Sequence, residues 1–217
     1  MNPTLLLDLD GTLVDSVPDL AAAVNRMLAV RSLAPLALGA VTSMVGDGLQ
    51  ALVERGLAAR GQRFDPAALA TVGADYAVNL AVASRLFPDV VPSLAALAES
   101  GWRLAVCTNK PEVAARSLLA ALGIGERFAA IGGGDSFPVR KPDPTHLLAT
   151  LAAAGGEPAR AVMVGDHAND IAAARGAGVR VVFAAWGYGP ASLGTRADAV
   201  ADRFSALPAI VRSLVAA

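Results

Sequence analysis

Short apolar runs punctuate the chain, and longer stretches with helical spacing separate them. Residues 4–7, 103–107, 128–131, 161–164 and 179–183 are four or five positions long and almost wholly apolar. Runs of that length without polar alternation suit strands covered on both faces, the habit of a parallel sheet. Residues 90–99, 112–122, 144–154, 169–175 and 205–215 carry helical spacing. This alternation predicts an α/β fold, a Rossmann-like doubly wound parallel sheet with helices on both faces through right-handed crossovers.

The interval between the first two runs is too long for one crossover. Residues 20–30, 49–59 and 67–83 are rich in Ala and Leu and read as helices. Asp65-Pro66 offers an N-cap followed by proline at the first helical position. An all-α insertion is therefore expected over residues 17–85, within a core made of residues 1–16 and 86–217. Its connections fall near Ser16 and near Leu86-Phe87-Pro88.

Composition narrows the function classes. Lys plus Arg number 18 against 19 Asp plus Glu, a net charge of −1. No strong field reaches toward nucleic acid or anionic lipid, so neither is an expected partner. With 54% hydrophobic and 17% charged residues the chain is too apolar to be disordered. The mean hydropathy of +0.50 invites a membrane reading. However, no stretch reaches the roughly 18 uncharged apolar residues that a spanning helix needs. Residues 1–9 lack a basic flank and meet Asp8 early, unlike a signal peptide. The single cysteine, Cys107, excludes an internal disulfide framework and points to a cytoplasmic location.

The candidate chemistry sits where the strands end. Asp8 and Asp10 close the first run, Thr108 the second and Asp166 the fourth, while Lys141 lies between the third and fourth. In open parallel sheets, ligands bind outside the carboxyl ends of the strands. Asp8 and Asp10, two positions apart, can point to one side of an extended chain, and Gly11 permits a sharp departure. Asp166 and Asp170 add two acids. Crowded carboxylates raise one another's pKa unless a cation joins them. Oxygen donors select a hard ion, and Mg²⁺ is the usual choice beside a phosphate.

Asp8-Leu9-Asp10-Gly11-Thr12, Thr108-Asn109-Lys110-Pro111, Lys141-Pro142-Asp143-Pro144 and Gly165-Asp166 through Asp170 resemble, in order, the four motifs of haloacid dehalogenase-superfamily phosphatases. The helical insertion is similar to that family's cap domain. Three further segments resemble phosphoglycolate phosphatases: residues 15–20, the loop Val45-Gly46-Asp47-Gly48-Leu49 with the helix after it, and Trp186-Gly187-Tyr188-Gly189.

The resemblance implies Mg²⁺-dependent hydrolysis of a small phosphorylated metabolite, 2-phosphoglycolate first, by a monomer or homodimer. Asp8 would be the nucleophile, which suits a carboxylate able to form an aspartyl-phosphate. Asp10 would be the general acid and base. Asp8, Asp166 and the Asp10 carbonyl would hold the metal. Thr108, Asn109 and Lys141 would bind the phosphoryl group, and Asp170 would hold metal-bound water or orient Lys141. Gly46, Asp47 and Gly48 would form a substrate-facing loop of the cap.

Plainer readings stand beside these. Asp170 is also a favourable charge at a helix start, Arg55 a solvated helix charge and Cys107 a small buried hydrophobe. His146 reads as structural. His167 replaces the small Ser common at its position in the family motif, and Asp89 stands where many relatives have Gly. A pyrophosphatase or a β-phosphoglucomutase-like phosphosugar enzyme shares the motif set. A non-catalytic phospho-acceptor or binding module is the alternative of a different class. A dehalogenase would lack Asp10, and a phosphonatase would need a lysine somewhere in residues 17–84, where there is none.

Overall fold

In a computed structural model, which describes residues 2–216, a six-stranded sheet runs through the centre of the molecule. Its strands are β1 (Thr4–Leu7), β4 (Arg103–Cys107), β5 (Ala130–Gly132), β6 (Ala161–Gly165), β7 (Arg180–Ala184) and β8 (Ala199–Ala201). The order is β5-β4-β1-β6-β7-β8, and every pair is parallel. Thus β1 is flanked by β4 and β6, and the loops after these three strands open on one edge of the sheet.

The apolar runs divide between two faces, as a two-residue period requires. Leu5, Leu7, Val106, Val162 and Val164 join one core cluster. Their chain neighbours Leu6, Ala105, Cys107 and Met163 join the other. Helices α5 (Val90–Glu99), α6 (Glu112–Ala121) and α9 (Leu207–Ala216) contribute to the first cluster. Helices α7 (Pro144–Ala153) and α8 (Ala168–Gly176) cover the second.

Between β1 and β4 the chain leaves the sheet. Two short strands, β2 (Val14–Asp15) and β3 (Arg85–Leu86), pair antiparallel and bring the outgoing and returning segments together. Between them lie α1 (Val17–Val30), α2 (Leu38–Thr42), α3 (Leu49–Ala58) and α4 (Pro66–Asn79), with α1 packed on the other three. Asp65 caps α4 by accepting from the Ala67 N–H at 2.9 Å, with Pro66 in the first turn. Asp143 and Pro144 repeat the device at α7. Buried Asp19 accepts from the Ala83 N–H, the Ser84 N–H and the Ser84 hydroxyl, clasping the two connections a second time. Asp89 sits at φ 63°, the left-handed region that favours glycine, at the return into α5.

The structure adjusts several sequence boundaries. The helix expected over 67–83 ends at Asn79, because the following residues are drawn out to meet Asp19. The third strand begins at Ala130, two residues later than its apolar run. The last helix starts at Leu207, after a 3₁₀ turn over Phe204–Ala206. Helix α2 and strands β2, β3 and β8 were not foreseen. No helix among the described residues is long and apolar enough to cross a membrane.

Candidate active site

Asp8 follows β1 directly, and its N–H continues the ladder by donating to the Val164 carbonyl at 2.9 Å. Its Oδ1 accepts from the Leu9 N–H at 2.8 Å and meets Lys141 Nζ at 3.0 Å. Asp166 follows β6. Its Oδ1 accepts from the Thr12 hydroxyl and its Oδ2 from the Tyr188 N–H, both at 2.8 Å. Gly11 lies against this carboxylate at φ 86°, and a Cβ there would overlap it. The turn after β1 therefore needs glycine both for its backbone and for its approach to Asp166.

Lys141 and Asp170 support Asp8 from behind. Lys141 Nζ donates to Asp170 Oδ1 and to the Cys107 carbonyl, both at 2.6 Å, and its side chain is 1% exposed. Burial disfavours the ammonium, but Asp170 and Asp8 outweigh it and hold its pKa above the ordinary lysine value. Asp170 Oδ2 accepts from the His167 N–H at 2.9 Å, so this fully buried acid also caps the start of α8. Burial pushes the Asp8 carboxyl up and Lys141 opposes it.

The donor set fits a metal ion. Ligand atoms of Asp8, Asp166, His167 and Asp170 lie within 4.8 Å of one another. Asp170 is tied to Lys141 and the α8 cap, and the Asp8 and Asp166 carboxylates converge beside it. Buried carboxylate oxygens of this kind suit a hard divalent cation. His167 Nδ1 lies 3.0 Å from Asp166 Oδ2 but is not aligned for a hydrogen bond. Burial opposes its charge, yet Asp166 raises its pKa to about 9.

The opposite side of the site is built by the segment after β4 and by the helical insertion. Thr108 and Asn109 are both buried, and the Asn109 amide donates to the carbonyls of Lys141 at 2.9 Å and Gly46 at 3.1 Å. Asn109 thus ties the loop between α2 and α3 to the lysine that supports Asp8. The same loop docks through Asp47, which accepts from the Asn169 amide at 2.6 Å and pairs with Arg55. Gly46, at φ 122°, lies against the His167 ring so closely that a Cβ would overlap it.

Asp10 is held by two groups. Its Oδ1 accepts from the Ser16 hydroxyl at 2.6 Å, and Lys110 Nζ reaches both of its oxygens at 3.0 and 3.2 Å. Lys110 also donates to the Tyr76 hydroxyl at 2.9 Å, so a core lysine joins Asp10 to α4. Burial works against this ammonium as well, but Asp10 and Tyr76 keep its pKa raised. A cavity of about 250 Å³ opens between α6 and the insertion, bordered by Asp8, Asp10, Thr108 and Lys110 and by Leu20 of α1, Leu49 and Leu52 of α3 and Leu80 just after α4.

The family model for haloacid dehalogenase-like hydrolases matches residues 3–178. The chain belongs to this family. It is 39% identical to a phosphoglycolate phosphatase of Agrobacterium fabrum, over 99% of this chain and 95% of that protein. It is 45% identical to a phosphoglycolate phosphatase of Rhodospirillum rubrum, over 95% of this chain and 90% of that one. Among solved structures, that of a predicted phosphoglycolate phosphatase from Haemophilus somnus superposes with a TM-score of 0.89 at 33% identity, covering 96% and 97% of the two chains.

In this hydrolase the fold gathers residues from all four motifs around one point: Asp8, Asp10, Thr108, Asn109, Lys141, Asp166 and Asp170. Gly46, Asp47 and Gly48 belong to the loop that touches Asn109 and Asn169. The sequence motifs contain Lys110 and Tyr188 without assigning either a role, and Tyr76 lies in no motif. The Tyr188 hydroxyl donates to Asp15 Oδ1 at 2.7 Å and accepts from the Ser16 N–H at 2.9 Å, so its loop joins Asp166 to the start of the insertion. The chain has only two tyrosines, and both end beside Asp10 or its supports. His146 is structural: it is fully buried, with Nε2 2.9 Å from the Gly133 carbonyl and Nδ1 3.5 Å from Cys107 Sγ.

Proposed function

We propose that this hydrolase is a Mg²⁺-dependent phosphomonoesterase acting on 2-phosphoglycolate through a phosphorylated Asp8. The observation that carries the reading is the meeting of Asp8, Lys141 and Asp166 at the ends of β1 and β6 and the loop between them. The two phosphoglycolate phosphatase relatives and the cavity, small by the standard of ligand sites, favour a compact substrate.

Asp8 attacks phosphorus and takes the phosphoryl group, and water then releases it, so one difficult displacement becomes two easier ones. Lys141 places positive charge beside Asp8 and the transferring group, in a buried position where Coulomb attraction is little screened. Thr108 offers its hydroxyl to the phosphoryl oxygens, and Asn109 holds Lys141 and the Gly46 loop in register. Asp10, steadied by Ser16 and Lys110, protonates the leaving oxygen and afterwards takes the proton of the incoming water. Asp8, Asp166 and the Asp10 main-chain carbonyl would hold Mg²⁺, which supplies charge neutralisation between nucleophile and phosphate. Residues 17–85 act as a cap that closes over a core of residues 1–16 and 86–217 and excludes bulk water. The lone, buried cysteine suits a reducing cytoplasm.

A substrate panel tests this reading. 2-Phosphoglycolate, hexose phosphates, nucleotides and pyrophosphate are compared for phosphate release with Mg²⁺ and with chelator. The reading expects the highest kcat/KM for 2-phosphoglycolate and loss of activity in chelator, restored by Mg²⁺. Preference for a hexose phosphate or pyrophosphate, or undiminished activity in chelator, would overturn it.

A further inference from the structure

Two buried lysines serve this site, and they are not equivalent. Lys141 faces Asp8 and Asp170 on the phosphoryl side. Lys110 stands on the other side of the β1 end, beside Asp10, and borders the cavity. Its ammonium has three N–H donors, and they face Asp10 Oδ1 at 3.0 Å, Asp10 Oδ2 at 3.2 Å and the Tyr76 hydroxyl at 2.9 Å. The Tyr76 ring centroid lies 4.5 Å from Nζ, so the insertion covers the charge with an aromatic face as well as a hydroxyl. Beyond this group the cavity wall is apolar, formed by Leu20, Leu49, Leu52 and Leu80 with Pro111 and Val113.

Among the residues bordering the cavity, Lys110 is the single cation, held at a fixed point next to the general acid. A leaving group bonded through the oxygen that Asp10 protonates must extend from Asp10 into this cavity. A neutral polyol would meet leucines there, whereas a short chain ending in a carboxylate would meet the one ammonium on the cavity wall, which can turn toward it the donor now spent on the longer Asp10 contact, 3.2 Å. The geometry points to Lys110 as the residue that selects for substrates whose leaving group carries a carboxylate close to the phosphoester oxygen, by pairing with that carboxylate. This rests on the phosphoglycolate reading and deepens it by assigning the acid end of the substrate to a specific group. It also gives the contact with Tyr76 a purpose: Tyr76 comes from the insertion, so the carboxylate site is complete only when α4 lies over the core.

The test compares 2-phosphoglycolate with 2-hydroxyethyl phosphate, which keeps the two-carbon length and replaces the carboxylate by a hydroxymethyl group. Selectivity is the ratio of their kcat/KM values in the wild type, in Lys110→Met and in Lys110→Gln. Gln keeps a donor for Asp10 and Tyr76 and removes the charge, which guards against a misfolded Met variant. Both variants slow both substrates, since Lys110 also steadies Asp10. The expected additional loss, on 2-phosphoglycolate alone, is about 10- to 100-fold, as for a charge-assisted hydrogen bond, and appears mainly in KM. Lys110→Arg should retain part of the preference. A wild-type preference that survives in Lys110→Gln would overturn the assignment while leaving the phosphoglycolate reading intact. A wild type that does not prefer 2-phosphoglycolate over its neutral analogue would overturn both.

Discussion

Asp170 offers the sharpest test of how the site is held together. Asp170→Asn keeps the shape but removes the charge that faces Lys141 Nζ at 2.6 Å in a fully buried position. Gly165 packs directly against this carboxylate, so a Cβ at position 165 would overlap it. Removing one partner of a buried ion pair costs about 3–5 kcal/mol. Asp8 remains as a second counter-charge at 3.0 Å, and relief of its repulsion from Asp170 returns part of the loss. The lower end, about 3 kcal/mol, is therefore expected. For a chain of this length that is a fall in Tm of about 6–12 °C. Turnover should drop about 10²- to 10³-fold, because Lys141 is left to collapse onto Asp8 instead of being shared. Calorimetry on Asp170→Asn, Lys141→Met and the double variant provides the assay. The double variant should be less destabilised than the sum of the singles by at least about 1 kcal/mol, the signature of groups in one network. An unchanged Tm in Asp170→Asn, or strict additivity, would refute the argument that this acid acts through Lys141.

Asp8→Asn keeps the bond from the Leu9 N–H and leaves Asp170 as the counter-charge of Lys141, so turnover should vanish in a folded protein whose Tm falls no further than that of Asp170→Asn; residual activity near that of the parent would rule Asp8 out as nucleophile. Gly46→Ala places a Cβ against the His167 ring at φ 122°, a strain of about 1–3 kcal/mol. Steady-state kinetics should show kcat/KM down about 10-fold with Tm lowered by about 2–12 °C, and partial recovery of both in Gly46→Ala with His167→Ser. Cys107 is fully buried, and burial pushes its thiol up to about 12. At pH 8 only roughly one thiol in ten thousand is ionised, so iodoacetamide should leave the native protein unlabelled and react only after unfolding. Rapid native labelling would contradict that burial.

Much of the core was legible because the physics that builds it is local. Leu5, Leu6 and Leu7 are apolar whichever face they take, since both faces of β1 are covered, and Asp8 marks where cover ends. The same contrast of apolar run and terminal acid marked Asp166 after β6. Strands β2 and β3, which join the outgoing and returning segments of the helical stretch, are two residues each and too short for any period to register. Strand β8, Ala199–Ala201, carries no β-branched run and is fixed by its pairing with β7. Lys110 was in view within Thr108-Asn109-Lys110-Pro111, yet its partners lie 100 residues away in Asp10 and 34 away in Tyr76. Convergence of that kind is a property of the folded topology, which no local pattern encodes. Asn109 shows the same gap: its place beside Thr108 was clear, but its bond to the Gly46 carbonyl required the insertion to be in position.

The central claim is that Asp8 transiently carries the phosphoryl group, and acid-quenched mass spectrometry tests it most directly. Enzyme mixed with 2-phosphoglycolate and Mg²⁺ is stopped in acid within the first turnover, digested and mapped, alongside the Asp10→Asn variant, in which release of the group is slowed. The account predicts one added phosphoryl unit on the peptide from β1, localised to Asp8 and more abundant in the variant. A phosphoryl unit on another residue, or none on Asp8 in either protein while phosphate is being released, would contradict it.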